Sequence, residues 1–144
     1  MARIPYQPLT GQKPVHNADC LVRAISAWLY DESVLGWQKA VAFAAKMSME
    51  EHIFPPNRGD CITNYFRHHG CKVKLLDKRR TVGSIAKANT QPILITTKDH
   101  IVFAKNGHFY DSWDSSRTIV REIIFLDTYD ANLTKIWTTD KVDE

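Results

Sequence analysis

The spacing of apolar residues changes character near Pro92. Upstream, apolar side chains recur every three or four positions, the period of a helix with one buried face. Leu21, Ala24, Ile25, Trp28 and Leu29 define such a face and predict a first helix over about 19–30, with Asn17 or Asp19 able to cap it. Val34, Trp37, Val41 and Ala44 or Ala45 predict a second helix over about 33–48. The run Phe54-Pro55-Pro56-Asn57-Arg58-Gly59 reads as a loop. Asp60 is then expected to cap a short helix carrying Ile62, Tyr65 and Phe66, and Gly70 to stop it from the C′ position. A strand over about 71–76 follows, and Thr81 caps one helical turn over 82–87.

Downstream, apolar residues gather into short runs of strand length. Pro92–Thr97 and His100–Lys105 are predicted strands, and Asn106-Gly107 is a type I′ hairpin signal. His108–Trp113 should return antiparallel to His100–Lys105. Asp114-Ser115-Ser116 turns the chain, with Asp114 suited to an Asx turn, and Thr118–Phe125 is a further strand. Residues 1–18, with Pro5, Pro8 and Pro14, read as an extended lead-in. The tail from about 127 is polar and expected to fray. Helices first and an antiparallel sheet afterwards define one α+β domain over residues 1–144.

Composition narrows the class. A hydrophobic content of 44% and a charged content of 24% over 144 residues suit one folded domain with a core and oppose disorder. Net charge is +3, and its densest basic cluster, Lys72 to Arg80, lacks the aromatic interleaving of a nucleic-acid surface. No nucleic-acid partner is expected. No apolar run approaches the ~20 residues of a membrane span, and Met1–Tyr6 has no apolar signal core, so the expectation is a cytoplasmic protein without a membrane partner. Three cysteines in such a chain are expected to be reduced thiols.

One of them, Cys20, is placed in the first turn of the first helix. Unpaired backbone N–H groups and the helix dipole there favour thiolate over thiol. A nucleophilic thiol needs a base and an orienting group. If the Asn106-Gly107 turn has two residues, Lys105 pairs with His108, Val102 with Asp111, and His100 with Trp113. His100, Asp111 and Trp113 then share one face of the hairpin, and a Cys-bearing helix packed on that side completes a Cys–His–Asp set. His108 falls on the opposite face from Asp111. Cys61, His68, His69 and Cys71 lack paired Cys-x-x-Cys spacing and read as structural rather than as metal ligands. Arg23 is open to two readings, a structural bond to a carbonyl or carboxylate and a contact to substrate.

The order Asp19-Cys20, His100-Ile101-Val102 and Asp111-Ser112-Trp113 resembles the papain-like cysteine peptidase superfamily. It is similar in particular to small phage and bacterial members with an Asn-Asp-Cys-Val-Val-Arg-Ala start and a Tyr-Asp-Thr-Trp-Asp-Ser end. Here those stretches read Asp19-Cys20-Leu21-Val22-Arg23-Ala24 and Tyr110-Asp111-Ser112-Trp113-Asp114-Ser115, and the resemblance spans roughly residues 15–122. It implies a papain-like fold and a peptidase or isopeptidase acting on protein or peptide substrates without a cofactor, in the host cytoplasm if phage-encoded. Cys20 would be the nucleophile, His100 the base, Asp111 its orienter, and Trp113 a shield for the His–Asp pair. Many members carry an oxyanion-stabilising Gln about six residues before the cysteine, where this chain has Pro14. Asn17 is the nearest amide to take that role and Gln12 a second. Two alternatives stand beside this reading: amidase, deamidase or transglutaminase-like acyl transfer with the same triad, and a non-catalytic binding module on the same scaffold.

Overall fold

The computed structural model describes residues 6–8, 20–30, 34–54, 58–111 and 113–130. Helices α1 (Cys20–Leu29), α2 (Val34–Glu51) and α3 (Gly59–His68) precede most of the sheet, and α4 (Val82–Lys87) interrupts it. Six strands, β1 (Tyr6–Pro8), β2 (Lys72–Leu75), β3 (Ile93–Thr96), β4 (Ile101–Lys105), β5 (His108–Asp111) and β6 (Glu122–Phe125), form one sheet in the order β1-β5-β4-β3-β6-β2. All neighbours are antiparallel except β1, which runs parallel to β5. The α+β class therefore holds. The lead-in contributes a strand to the sheet, because the outer edge of β5 offers backbone groups that an extended, Pro-limited segment can pair with.

Two apolar layers sandwich the sheet. Leu94, Ile101, Phe103 and Ile124 face α1, α2 and α3, whereas Ile93, Ile95, Val102, Ala104, Phe109 and Ile123 face α4. Every residue of β3 is buried, which explains why Ile93-Leu94-Ile95 shows no alternation. The edge strand β2 keeps Lys72 and Lys74 exposed, charges that discourage pairing with another chain. Among the described residues, no helix is long and apolar enough to cross a membrane.

Several expectations need correction. Helix α2 buries Ala40, Ala44 and Met47, while Val41 and Ala45 face solvent. The alanines, spaced i and i+4, lie in the cluster that α2 shares with α1 and α3, so the small residues rather than the β-branched one mark the buried face. Asp60 lies inside the first turn of α3 instead of capping it. The cap position is Arg58, whose guanidinium pairs with the Asp60 carboxylate at 3.0 Å. The strand expected over 118–125 begins at Glu122. Before it, the Val120 N–H bonds to Arg80 O and Ile119 bridges to Thr81, so this stretch pairs with the approach to α4 and leaves the sheet. The tail expected to fray from about 127 is structured through 130, and its remainder, 131–144, lies outside the described residues. A 3-10 turn (Leu126–Thr128) leads to Tyr129, whose ring packs against Trp28 at 5.2 Å and whose hydroxyl lies 2.7 Å from that of Tyr65.

One helix start and one helix stop form as expected. Thr81 accepts a hydrogen bond from the Ser84 N–H at 3.2 Å, the N-cap of α4. At the end of α3, the Cys71 N–H bonds to Phe66 O and the Gly70 N–H to Arg67 O, the paired bonds of a Schellman motif. Gly70 has φ of +88°, and a Cβ there would meet Thr128 O at 3.1 Å. Gly70→Ala is therefore expected to destabilise the fold by about 1–2 kcal/mol through left-handed backbone strain. Urea denaturation would check this, and an unchanged midpoint would remove the account.

Candidate active site

The β4–β5 hairpin supplies the first pair of groups. Asn106 and Gly107 have φ of 56° and 82°, the positive values a type I′ turn requires. That turn sets Lys105 opposite His108, Ala104 opposite Phe109 and Phe103 opposite Tyr110. His100 immediately precedes β4 and Asp111 ends β5, so the two stand diagonally at one end of the hairpin. His100 Nε2 lies 2.6 Å from Asp111 Oδ2. Asp111 is 1% exposed, so its carboxylate is removed from water where it meets the ring.

Helix α1 supplies the third. Cys20 is its first residue, partly buried, and its side chain hydrogen-bonds with His100. Asp111 takes Nε2, so Nδ1 is the ring nitrogen left open to a second partner. The route to this meeting differs from the one the hairpin register implies. Strand alternation places Asp111 with Phe109 on the α4 face, whereas α1 covers the face of Ile101 and Phe103. The groups meet at the end of the sheet. His100 stands just outside the strand and reaches both the thiol above one face and the carboxylate that belongs to the other.

Burial works against a proton on His100. The hydrogen bonds to Asp111 and then Cys20, with the negative charge of both partners, outweigh it and raise the imidazole from 6.5 to about 9. His100 therefore holds its proton at neutral pH, between a buried carboxylate and a sulfur. Trp113 lies against the ring at a centroid distance of 5.1 Å and an interplanar angle of 36°. It covers one side of His100 while remaining 50% exposed itself.

By its place in the sequence, Ser115 reads only as a turn residue. Its buried hydroxyl donates to Asp111 Oδ2 at 2.7 Å, the oxygen that also meets His100. The turn that delivers it is the expected Asx turn, with the Ser116 N–H 3.1 Å from Asp114 Oδ1. Helix α4 pins this loop: the Gly83 N–H bonds to Ser116 O and the Val82 N–H to Thr118 O, both at 2.9 Å. Gly83 permits the approach, because a Cβ there would lie 3.0 Å from the Ser116 Cβ. A hydroxyl four residues beyond an acid, across a turn, is the signal that could have found Ser115.

The other candidates separate cleanly. Gln12, Pro14 and Asn17 lie outside the described residues. Arg23 is buried and its guanidinium sits 5.4 Å from the Trp37 ring centroid, a structural contact. Cys61 and Cys71 are buried, and burial first, then nearby carboxylates, pushes each thiol up to about 11. His68 Nδ1 lies 2.8 Å from Glu51 and His69 Nε2 2.9 Å from Glu50, away from Cys20. His108 is exposed on the face opposite Asp111.

A cavity of about 280 Å³ opens beside Cys20 and His100, lined also by Ile101, Ile62, Thr97 and Lys98 among others. The thiol and imidazole therefore face space that a small segment of another molecule can enter. Comparison of the chain with known protein families, with curated proteins and with solved structures finds no match.

Two linked outcomes test the electrostatics. In Asp111→Asn, the His100 ring resonances observed by NMR should titrate well below 9, toward the ordinary value. Folding raises this imidazole, so the stability it contributes is complete below pH 6.5 and is lost as pH rises through about 9. Denaturation midpoints of the native chain should fall across that window more steeply than those of Asp111→Asn. Identical pH profiles would show that the carboxylate does not hold the proton.

Proposed function

We propose that the chain is a papain-like cysteine hydrolase, a peptidase or isopeptidase. The single observation that carries this reading is the His100 ring held between Asp111, at 2.6 Å, and the Cys20 thiol at the start of a helix. A carboxylate on one ring nitrogen fixes the tautomer and orientation of the other, which is what proton exchange with a nucleophile requires.

In this mechanism His100, hydrogen-bonded to Cys20, carries the proton that leaves the thiol as sulfur attacks. The thiolate attacks the carbonyl carbon of a peptide or isopeptide bond entering the cavity. The carbonyl oxygen becomes an oxyanion, for which the Cys20 N–H, free of an intrahelical acceptor at the first helical position, is one donor. His100 then gives its proton to the departing amine as the carbon–nitrogen bond breaks and a thioester remains. Water attacks the thioester with His100 as base, releasing the carboxylic acid and restoring the thiol–imidazole pair. Asp111 keeps the ring in place, with Ser115 holding the shared oxygen. Trp113 limits water on one side of the ring, which strengthens the His100–Asp111 interaction.

An electrophilic thiol probe such as iodoacetamide should label Cys20 in preference to the buried Cys61 and Cys71, and Cys20→Ala should remove that label. In His100→Ala, labelling near neutral pH should slow by roughly a hundredfold, the scale of general acid–base assistance. Mass spectrometry of digested protein reads the site and the rate. Equal labelling of the three cysteines, or a rate that ignores His100, would remove the nucleophile reading.

A further inference from the structure

The cavity at Cys20 does not end there. A second cavity of about 490 Å³ adjoins it, and the two share Arg58, Gly59, Thr96, Thr97 and Lys98 as lining. Together they form a cleft between the start of α3 and the ends of β3 and β6. The far part is lined by Glu122, the first residue of β6.

Glu122 is half-buried, and its carboxylate is held in place through one oxygen. Thr63 Oγ1 donates to Oε1 at 3.0 Å, and Thr96 Oγ1 reaches the same oxygen at 3.4 Å. Among the described residues, no hydrogen bond is made to Oε2 and no ion pair engages this side chain. Of the cations lining this cavity, Arg58 binds Asp60 at 3.0 Å, and Lys98 and Arg121 stand exposed to solvent without an ion pair to Glu122. Glu122 pairs with Thr96 across β6 and β3, and Thr96 with Ile101 across β3 and β4. Two strand spacings put it about 10 Å from Ile101, roughly three residues of extended peptide from the Cys20 end.

A fixed carboxylate with an open oxygen and no ion pair among the described residues, partly withdrawn from water, favours a cation that supplies both charge and donors. We propose that Glu122 is a specificity subsite for a lysine or arginine side chain of the substrate, a proposal that rests on the hydrolase reading above. A basic residue within a few positions of the scissile bond reaches Glu122 while the carbonyl lies at Cys20. A substrate with an apolar residue there leaves the carboxylate unpaired.

The test is protection of Cys20 from iodoacetamide by short peptides that differ at one residue: lysine, its uncharged isostere norleucine, or glutamate. The lysine peptide should slow alkylation several-fold more than the norleucine peptide in the native chain. In Glu122→Gln, which keeps an acceptor for both threonine hydroxyls, the lysine-to-norleucine ratio should fall to near one. A ratio near one in the native chain, stronger protection by the glutamate peptide, or a ratio that survives Glu122→Gln would overturn the subsite. Alkylation without peptide tests the nucleophile separately. His100-dependent labelling of Cys20 with no lysine preference rejects the subsite alone, whereas labelling that ignores His100 rejects the hydrolase reading itself.

Discussion

The register of the β4–β5 hairpin is the constraint on which the candidate site depends. Side chains alternate along a strand, so a slip of one residue would move every side chain of β5 to the other face of the sheet. Asp111 would then leave His100, and Phe109 would leave the apolar layer beneath α4. The turn is fixed twice over. Its two residues adopt the positive φ values that a two-residue hairpin needs, and their amides are docked on the exit from α4, Asn106 N–H on Thr90 O and Gly107 N–H on Asn89 O. Local turn chemistry and a long-range contact thus specify the same pairing.

The thiol depends on a different part of the molecule. Helix α1 is short, and its position comes from packing: Trp28 meets Phe43, Phe66 and Tyr129 at centroid distances between 5.2 and 6.0 Å. Tyr65 and His69 extend the same cluster, and the buried His69 Nε2 is satisfied by Glu50 at 2.9 Å. This aromatic packing is non-local, joining α1, α2, α3 and the segment after β6. It seats the helix that presents Cys20 without any of its members touching the site.

What was legible in the chain follows from how local its cause is. The Thr81 cap, the Gly70 stop and the Asn106-Gly107 turn each depend on a few neighbouring residues, and each forms as read. Because the turn sets the pairing, His100 beside Asp111 was readable too. The rest depends on tertiary contacts that spacing does not encode. Val41 looks like a core residue by type, but the face of α2 that is buried carries Ala40 and Ala44. Thr118 to Val120 have strand-like residues, but they bond to the segment before α4. Tyr129 sits in a polar tail, and only the aromatic cluster gives it a place. The face on which α1 lies was misread for the same reason: alternation describes the sheet, and the partners of each face are decided by the whole fold. Ser115 was missed because its role appears only when the turn after Asp111 closes back on the carboxylate.

Gly83 shows how far the site extends into the scaffold. It contributes no chemistry, yet its lack of a side chain lets α4 sit against Ser116 and hold the loop that carries Ser115 to Asp111. A larger residue there would push on the loop before it disturbed anything else. In a mutational screen, position 83 would score with the site residues while lying on a helix that none of them occupies. Sensitivity to substitution in this protein would therefore trace the supports of the carboxylate as faithfully as the reacting groups.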